Sequence, residues 1–218
     1  IVRMALLLKS LNQFDESMAL YREARLISRR MKGPEHPTTL SIMNNMGNLL
    51  VENQSYELAR SLYVDSLQAS RRVRGDDHPS TLNLINNMGN VLARLGESAE
   101  ALPYYQEALQ SRRKKLGDDH PRTRSTLDAI VKISDSLQTN AKWEEATAYR
   151  TEALNYQLLV LGDTHPETLR TINTLAELHN DWHESEPDAG HDVEAEKYLQ
   201  MLEDLRDDTN TTTSPSTP

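Results

Sequence analysis

The chain has no cysteine, which excludes disulfides, thiolate metal sites and cysteine nucleophiles at once. That absence fits a reducing intracellular compartment such as the cytoplasm. Aromatic residues are scarce, at 5% with a single phenylalanine, so a thin, elongated core is expected rather than one compact ball. Long apolar runs are missing too. The clearest one spans Met4 to Leu8, far short of the roughly 20 residues a membrane helix needs. No signal-peptide pattern opens the chain; it begins at Ile1 in what reads as mid-helix, so further sequence is expected upstream. There is also no excess of positive charge. The net charge is −9, and residues 1–180 hold 22 acidic and 22 basic side chains, so the imbalance sits in residues 181–218, where 11 acids face only Lys197 and Arg206. A nucleic-acid binder needs a basic surface to displace counterions from phosphates, and this chain lacks one. Its acidic end reads as a solvated cap.

What is present is repetition. Gly33-Pro-Glu-His-Pro37, Gly75-Asp-Asp-His-Pro79, Gly117-Asp-Asp-His-Pro121 and Gly162-Asp-Thr-His-Pro166 are four copies of one segment, with prolines 42, 42 and 45 residues apart. A period between 20 and 50 residues marks a repeat array. Such arrays present surfaces to other proteins far more often than they make or break bonds.

Each unit reads as two helices. After His78-Pro79, the residues Leu82, Ile85, Met88 and Leu92 fall at spacings of three and four, one helical face. Gly96-Glu97-Ser98 interrupts, and Ala101, Tyr105, Ala108 and Leu109 form the buried stripe of a second helix. Gly117 stands where a left-handed C-cap is wanted, and Pro121 where a helix start tolerates a missing N–H. Gly89, Ala101 and Ala108 are small enough to let the two helices of a pair approach closely. This gives helix pairs near 1–32, 37–74, 79–116, 121–161 and 166–206, with the first helix cut short. The three extra residues of the 45-residue unit are expected in its inter-helix turn before Trp143, and a longer insertion, His183 to His191, is expected as a loop. Residues 207–218, rich in Thr, Ser and Pro, read as a disordered tail.

The run Asn-Asn-Met-Gly-Asn, then Ala-Leu-Pro-Tyr-Tyr-Gln-Glu-Ala-Leu, then Leu-Gly-Asp-Asp-His-Pro resembles the tetratricopeptide repeat, and more narrowly the 42-residue form of kinesin light chains and related scaffolds. The usual repeat has about 34 residues. The resemblance covers residues 1 to about 206. It is weakest at the ends, where the first helix is short and where Leu199 and Leu202 stand in place of Tyr and a small residue. It implies an all-α, right-handed α-solenoid in which the first helix of each pair lines a concave groove that holds an extended peptide or a helix of a partner. The groove positions it implies are Ser41, Asn44, Asn48 and Glu52; Asn83, Asn86, Asn90 and Arg94; Ser125, Asp128, Lys132 and Asp135; and Arg170, Asn173, Glu177 and Asp181. Asn44, Asn86 and Asn173 recur at one position, where the third unit has Asp128. An asparagine amide both donates and accepts, so it can grip a peptide backbone. Equally, it can bond its neighbours and hold the stack together. The lysine-and-asparagine clamp that some tetratricopeptide domains use for a C-terminal carboxylate is not recognisable.

Other constellations have plainer readings. The clusters Arg29-Arg30-Lys32, Arg71-Arg72-Arg74 and Arg112-Arg113-Lys114-Lys115 repeat with the same period. An acidic partner could meet such a stripe, but each cluster lies in a last helical turn, where cations complement the dipole. His36, His78, His120 and His165 are turn residues, one per repeat, and cannot converge on an ion. His179 and His183 share a helical face at i and i+4 but lack a certain third ligand. No metal site, cofactor or catalytic residue is therefore expected. Trp143 and Trp182 read as packing residues. The first expectation is a non-enzymatic scaffold or adaptor for a protein partner, without nucleic acid or membrane insertion. Two other readings stand beside it: the sensor arm of a multidomain signalling NTPase, and an architectural subunit of a large assembly.

Overall fold

The computed structural model describes the backbone of residues 1–212 and the side chains of residues 1–205. Every regular element among them is helical. Five pairs follow in order: α1 (Val2–Ser10) with α2 (Phe14–Lys32), α3 (Pro37–Glu52) with α4 (Tyr56–Arg74), α5 (Pro79–Arg94) with α6 (Ser98–Leu116), α7 (Pro121–Thr139) with α8 (Trp143–Val160), and α9 (Pro166–Ser185) with α10 (His191–Thr212). They fall into two units, residues 1–117 and residues 118 onward. The expected array end at 206 is corrected in one respect, because α10 continues to Thr212; residues 213–218 of the expected tail lie outside the described residues.

The repeated Gly-x-x-His-Pro segment starts each long first helix. His36, His78, His120 and His165 are N-caps in extended backbone, and the Nδ1 of each accepts the N–H two residues on, at 3.1, 3.1, 3.1 and 3.2 Å. The proline that follows loses an N–H that had no helical partner anyway. The glycine does its work differently from the expectation. Gly33, Gly75 and Gly117 end their helices at φ of +105°, +85° and +85° with ψ of 163°, 164° and 169°. That is not a left-handed helical cap but the extended positive-φ region, which is essentially closed to any residue with a Cβ. The turn folds back through hydroxyls: Thr39 Oγ1 bonds Gly33 O at 2.9 Å and Ser28 Oγ at 2.8 Å, and Thr168 bonds Gly162 O at 2.7 Å.

In the first unit α1 packs on α2, α2 on α3, α3 on α4, α4 on α5 and α5 on α6. Its core repeats with the sequence. Tyr21, Tyr63 and Tyr105 stand 42 residues apart and are all essentially inaccessible. Room for two of the rings comes from glycine. A Cβ on Gly47 would lie 2.4 Å from the Tyr63 ring, and one on Gly89 would lie 2.9 Å from the Tyr105 ring. The expected close approach at Gly89 is thus found, and it recurs one repeat earlier.

In the second unit α7 packs on α8, α8 on α9 and α9 on α10. Leu154, Ile172, Leu175 and Leu202 form one cluster of its core, with Leu158, Leu169 and Tyr198 against them. The extra residues are not where the sequence suggested. The turn before Trp143 keeps three residues, Asn140–Lys142, and α7 has 19 residues where α5 has 16. An insertion of nearly one turn is absorbed most cheaply by continuing the helix, which adds backbone hydrogen bonds instead of loop entropy. The His183–His191 insertion behaves the same way: α9 runs to Ser185, a single 3-10 turn covers Pro187–Ala189, and α10 starts at His191.

Candidate partner-binding face

In the first unit the first helices α3 and α5 lie side by side. A cleft between their N-terminal halves is lined by Ser41, Asn44, Asn45, Arg74, Ser80 and Asn83, over Leu40 and Leu84. A second recess, towards their C-terminal ends, is lined by Lys9, Asn48, Val51, Glu52, Tyr63, Asn87 and Asn90.

The asparagines there are half-buried, and their oxygens are in use. Asn87 Nδ2 donates to Asn44 Oδ1 and Asn48 Oδ1, both at 3.0 Å. The Tyr63 hydroxyl donates to Asn48 Oδ1 at 2.6 Å, and the Tyr105 hydroxyl to Asn90 Oδ1 at 2.8 Å. Arg112, buried at the end of α6, donates to Asn86 Oδ1 at 2.9 Å and Asn83 Oδ1 at 3.2 Å. A guanidinium has only donors, so it fixes which way those two amides face. The carbonyl oxygens tie helix to helix.

Charge differs between the two recesses. In the second, Lys9 Nζ lies 2.6 Å from Glu52 and the pair cancels. In the first, no carboxylate lines the cleft. The acids of the neighbouring turns are already engaged, Glu35 by Arg72, Asp76 by Arg71 and Asp77 by Lys115. Among the described residues, Arg74 donates to the Pro37 carbonyl, at 2.8 Å, and makes no ion pair. It was grouped with the helix-end cations at the sequence level. Asn45 and Asn87 were passed over because only one asparagine of each Asn-Asn pair was placed on the groove, although the pair repeats 42 residues apart. Arg94, at the end of α5, is exposed and lines neither recess.

The second unit carries its expected positions in other chemistry. Asp128 and Lys132 are exposed on α7. Partial desolvation raises the Asp128 carboxyl above its ordinary range, helped by Glu167 and opposed by Lys132 and Arg124. Asp135 is held by Arg150, Asp181 accepts from Gln138 Nε2 at 3.0 Å, and Asn173 donates to Glu177 at 2.7 Å; Arg170 is exposed. These residues bond one another more than they present free groups. The histidines make a ring stack: His191 lies 3.7 Å from Trp182 centre to centre, and His179 packs 5.8 Å from Tyr198. Among the described residues no three His, Asp or Glu side chains come together as metal ligands.

Family models described as Tetratricopeptide repeat match residues 2–38, 38–114 and 80–133. No curated protein matches the chain. Among solved structures, the nearly identical TPR-like repeats of a kinesin-light-chain protein from Podosopora anserina are 20% identical, with 98% of this chain and 95% of that one covered at a TM-score of 0.66. BtubC (BKLC) from P. vanneervenii is 18% identical, with 98% and 80% covered at 0.62. A Rap protein complexed with competence and sporulation factor is 14% identical, with 95% and 62% covered at 0.53. These likenesses establish the fold class, an all-α solenoid of stacked helix-turn-helix repeats. Repeats of 42 residues punctuated by Gly-x-x-His-Pro, matched over more than half the sequence, identify this chain as a member of the tetratricopeptide-repeat family.

Proposed function

We propose that the protein is a non-enzymatic interaction scaffold that holds an extended segment of a partner protein across α3 and α5. The observation that carries this reading is the first cleft: amide groups, two serines and a guanidinium that has no carboxylate partner among the described residues converge there between two first helices. Donors of this kind suit backbone carbonyls and side-chain carboxylates, and they do not demand one sequence. The Rap protein among the structural neighbours is complexed with competence and sporulation factor, which supports a ligand-holding use of the fold. No helix among the described residues is long and apolar enough to cross a membrane.

The test uses photo-crosslinking side chains at exposed Ser41, beside the cleft, and at exposed Leu58 on α4. Partner crosslinks at Ser41, weakened about tenfold by combined Asn45→Ala and Arg74→Ala without a change in helical signal, are expected. Crosslinks at Leu58 alone would favour an architectural subunit packed through its second helices.

A further inference from the structure

A different recess lies on the second helices. It is bounded by α2, the turn after it, and α4, and it holds Arg25, Arg29, Asp65 and the Arg72–Glu35 ion pair above Met43 and Ala69. The same place one repeat later shows what normally occupies such a junction. There Arg71 sits between two carboxylates, Asp76 at 3.5 Å and Glu107 at 2.7 Å, and a buried leucine, Leu67, stands beside it.

Moving back 42 residues, each of those supports changes. Arg29 takes the place of Arg71, but Pro34 stands where Asp76 was, so one carboxylate is gone. Asp65 replaces Glu107, one methylene shorter, and makes no ion pair with Arg29 among the described residues. Arg25 replaces Leu67, so an apolar filler has become a second cation. Arg72 and Glu35 neutralise each other, which leaves Arg25 and Arg29 against Asp65 alone. The junction lacks one negative charge and a short apolar stem.

We infer that this α2–α4 recess is a second docking site, which takes a glutamate side chain of a partner protein. A glutamate supplies both missing parts: its two methylenes fill against Met43 and Ala69, and its carboxylate bridges Arg25 and Arg29, giving Arg29 back the second carboxylate that Arg71 has in the next repeat. Two guanidinium groups favour a planar carboxylate through paired N–H donors. The site is independent of the α3–α5 cleft, so the failure of either leaves the other standing.

The probe is an acetylated, amidated peptide with a central Glu-Glu pair, added to the whole chain at low salt. The Nε–Hε signals of Arg25, Arg29 and Arg71 are followed by NMR. Saturable shifts of Arg25 and Arg29 with Arg71 unmoved are expected. Arg25→Leu installs the side chain of the next repeat, and Pro34→Asp restores the internal carboxylate. Each should weaken the peptide about tenfold or more while helical content and Tm hold. Shifts that do not saturate, equal movement of Arg71, or unchanged affinity in both variants would overturn the site. Inorganic phosphate binding as tightly as the peptide would overturn the glutamate assignment, because phosphate lacks the apolar stem.

Discussion

The two units use one repeat plan and solve its tightest contact differently. In the first unit, Gly47 and Gly89 let the rings of Tyr63 and Tyr105 lie on the helix backbone, and each hydroxyl reaches the next residue, Asn48 or Asn90. In the second unit, the 42-residue register puts Val131 where Gly89 stood, and the longer 45-residue step puts Arg150 where Tyr105 stood. A β-branched side chain leaves no space for a ring on the backbone. A guanidinium threads past it instead, bonding Ser134 Oγ at 3.2 Å and pairing with Asp135. The asparagine that received the tyrosine becomes Lys132. The change of a glycine thus goes with two others, Tyr105 to Arg150 and Asn90 to Lys132, and an Arg150–Asp135 ion pair stands where the first unit has a tyrosine–asparagine hydrogen bond.

The largest effect is expected at Gly47. Alanine there gains about 1 kcal/mol of helix propensity, but its Cβ meets the Tyr63 ring at 2.4 Å. Overpacking at a site flanked by backbone should win, for a net loss of about 2 kcal/mol in denaturant unfolding. An unchanged midpoint would mean that the ring moves freely and that the glycine is not what holds it. The next effect tests the exchange between units. Arg150→Tyr alone should cost about 2 kcal/mol, since it overpacks against Val131 and frees Asp135. Adding Val131→Gly should recover at least half of that. Double-mutant coupling near zero would show that the two positions do not form one device.

A smaller effect is expected in the turns. Gly96 has φ +81° in the first unit, and its counterpart Ala141 has φ +54° in the second. Ala141→Gly should stabilise the protein by about 1 kcal/mol, as seen in thermal unfolding, because a left-handed backbone strains any residue with a Cβ. Smallest is a pH effect confined to the second unit. Burial lowers the pKa of His179, with Glu194 opposing and His191 and Lys197 assisting. The unfolded chain then binds the proton more readily than the folded one. Stability from this group is full above its ordinary value of about 6.5 and declines as pH falls towards the folded value. Hydrogen exchange between pH 7 and 5 should loosen α9 and α10 while α3 to α6 hold, and His179→Phe should remove the difference.

Much of the plan was legible from residue order. The 42-residue spacing, the caps and the buried stripe led to paired helices, because caps and apolar spacing act over one or two turns. The candidate face was legible only by position. Asn44, Asn48, Asn83 and Asn90 line the two recesses, but nothing local revealed that their oxygens, and that of Asn86, were engaged by Tyr63, Tyr105, Arg112 and Asn87 from other helices. Arg74 looked like Arg71 and Arg72 until the turn acids were seen paired with those two and not with it. The three-residue insertion was misplaced for a related reason: such an excess fits a turn or a helix end equally well in sequence, and only packing chooses.

Residue order by itself determined that these are paired helices with a repeating core, since periodicity, proline and positive-φ glycine act through bonds a few residues apart. Tertiary structure alone decided which polar groups are left over. A donor or cation is available only when no neighbour 15 to 45 residues away has taken it, and that depends on how helices from different repeats meet.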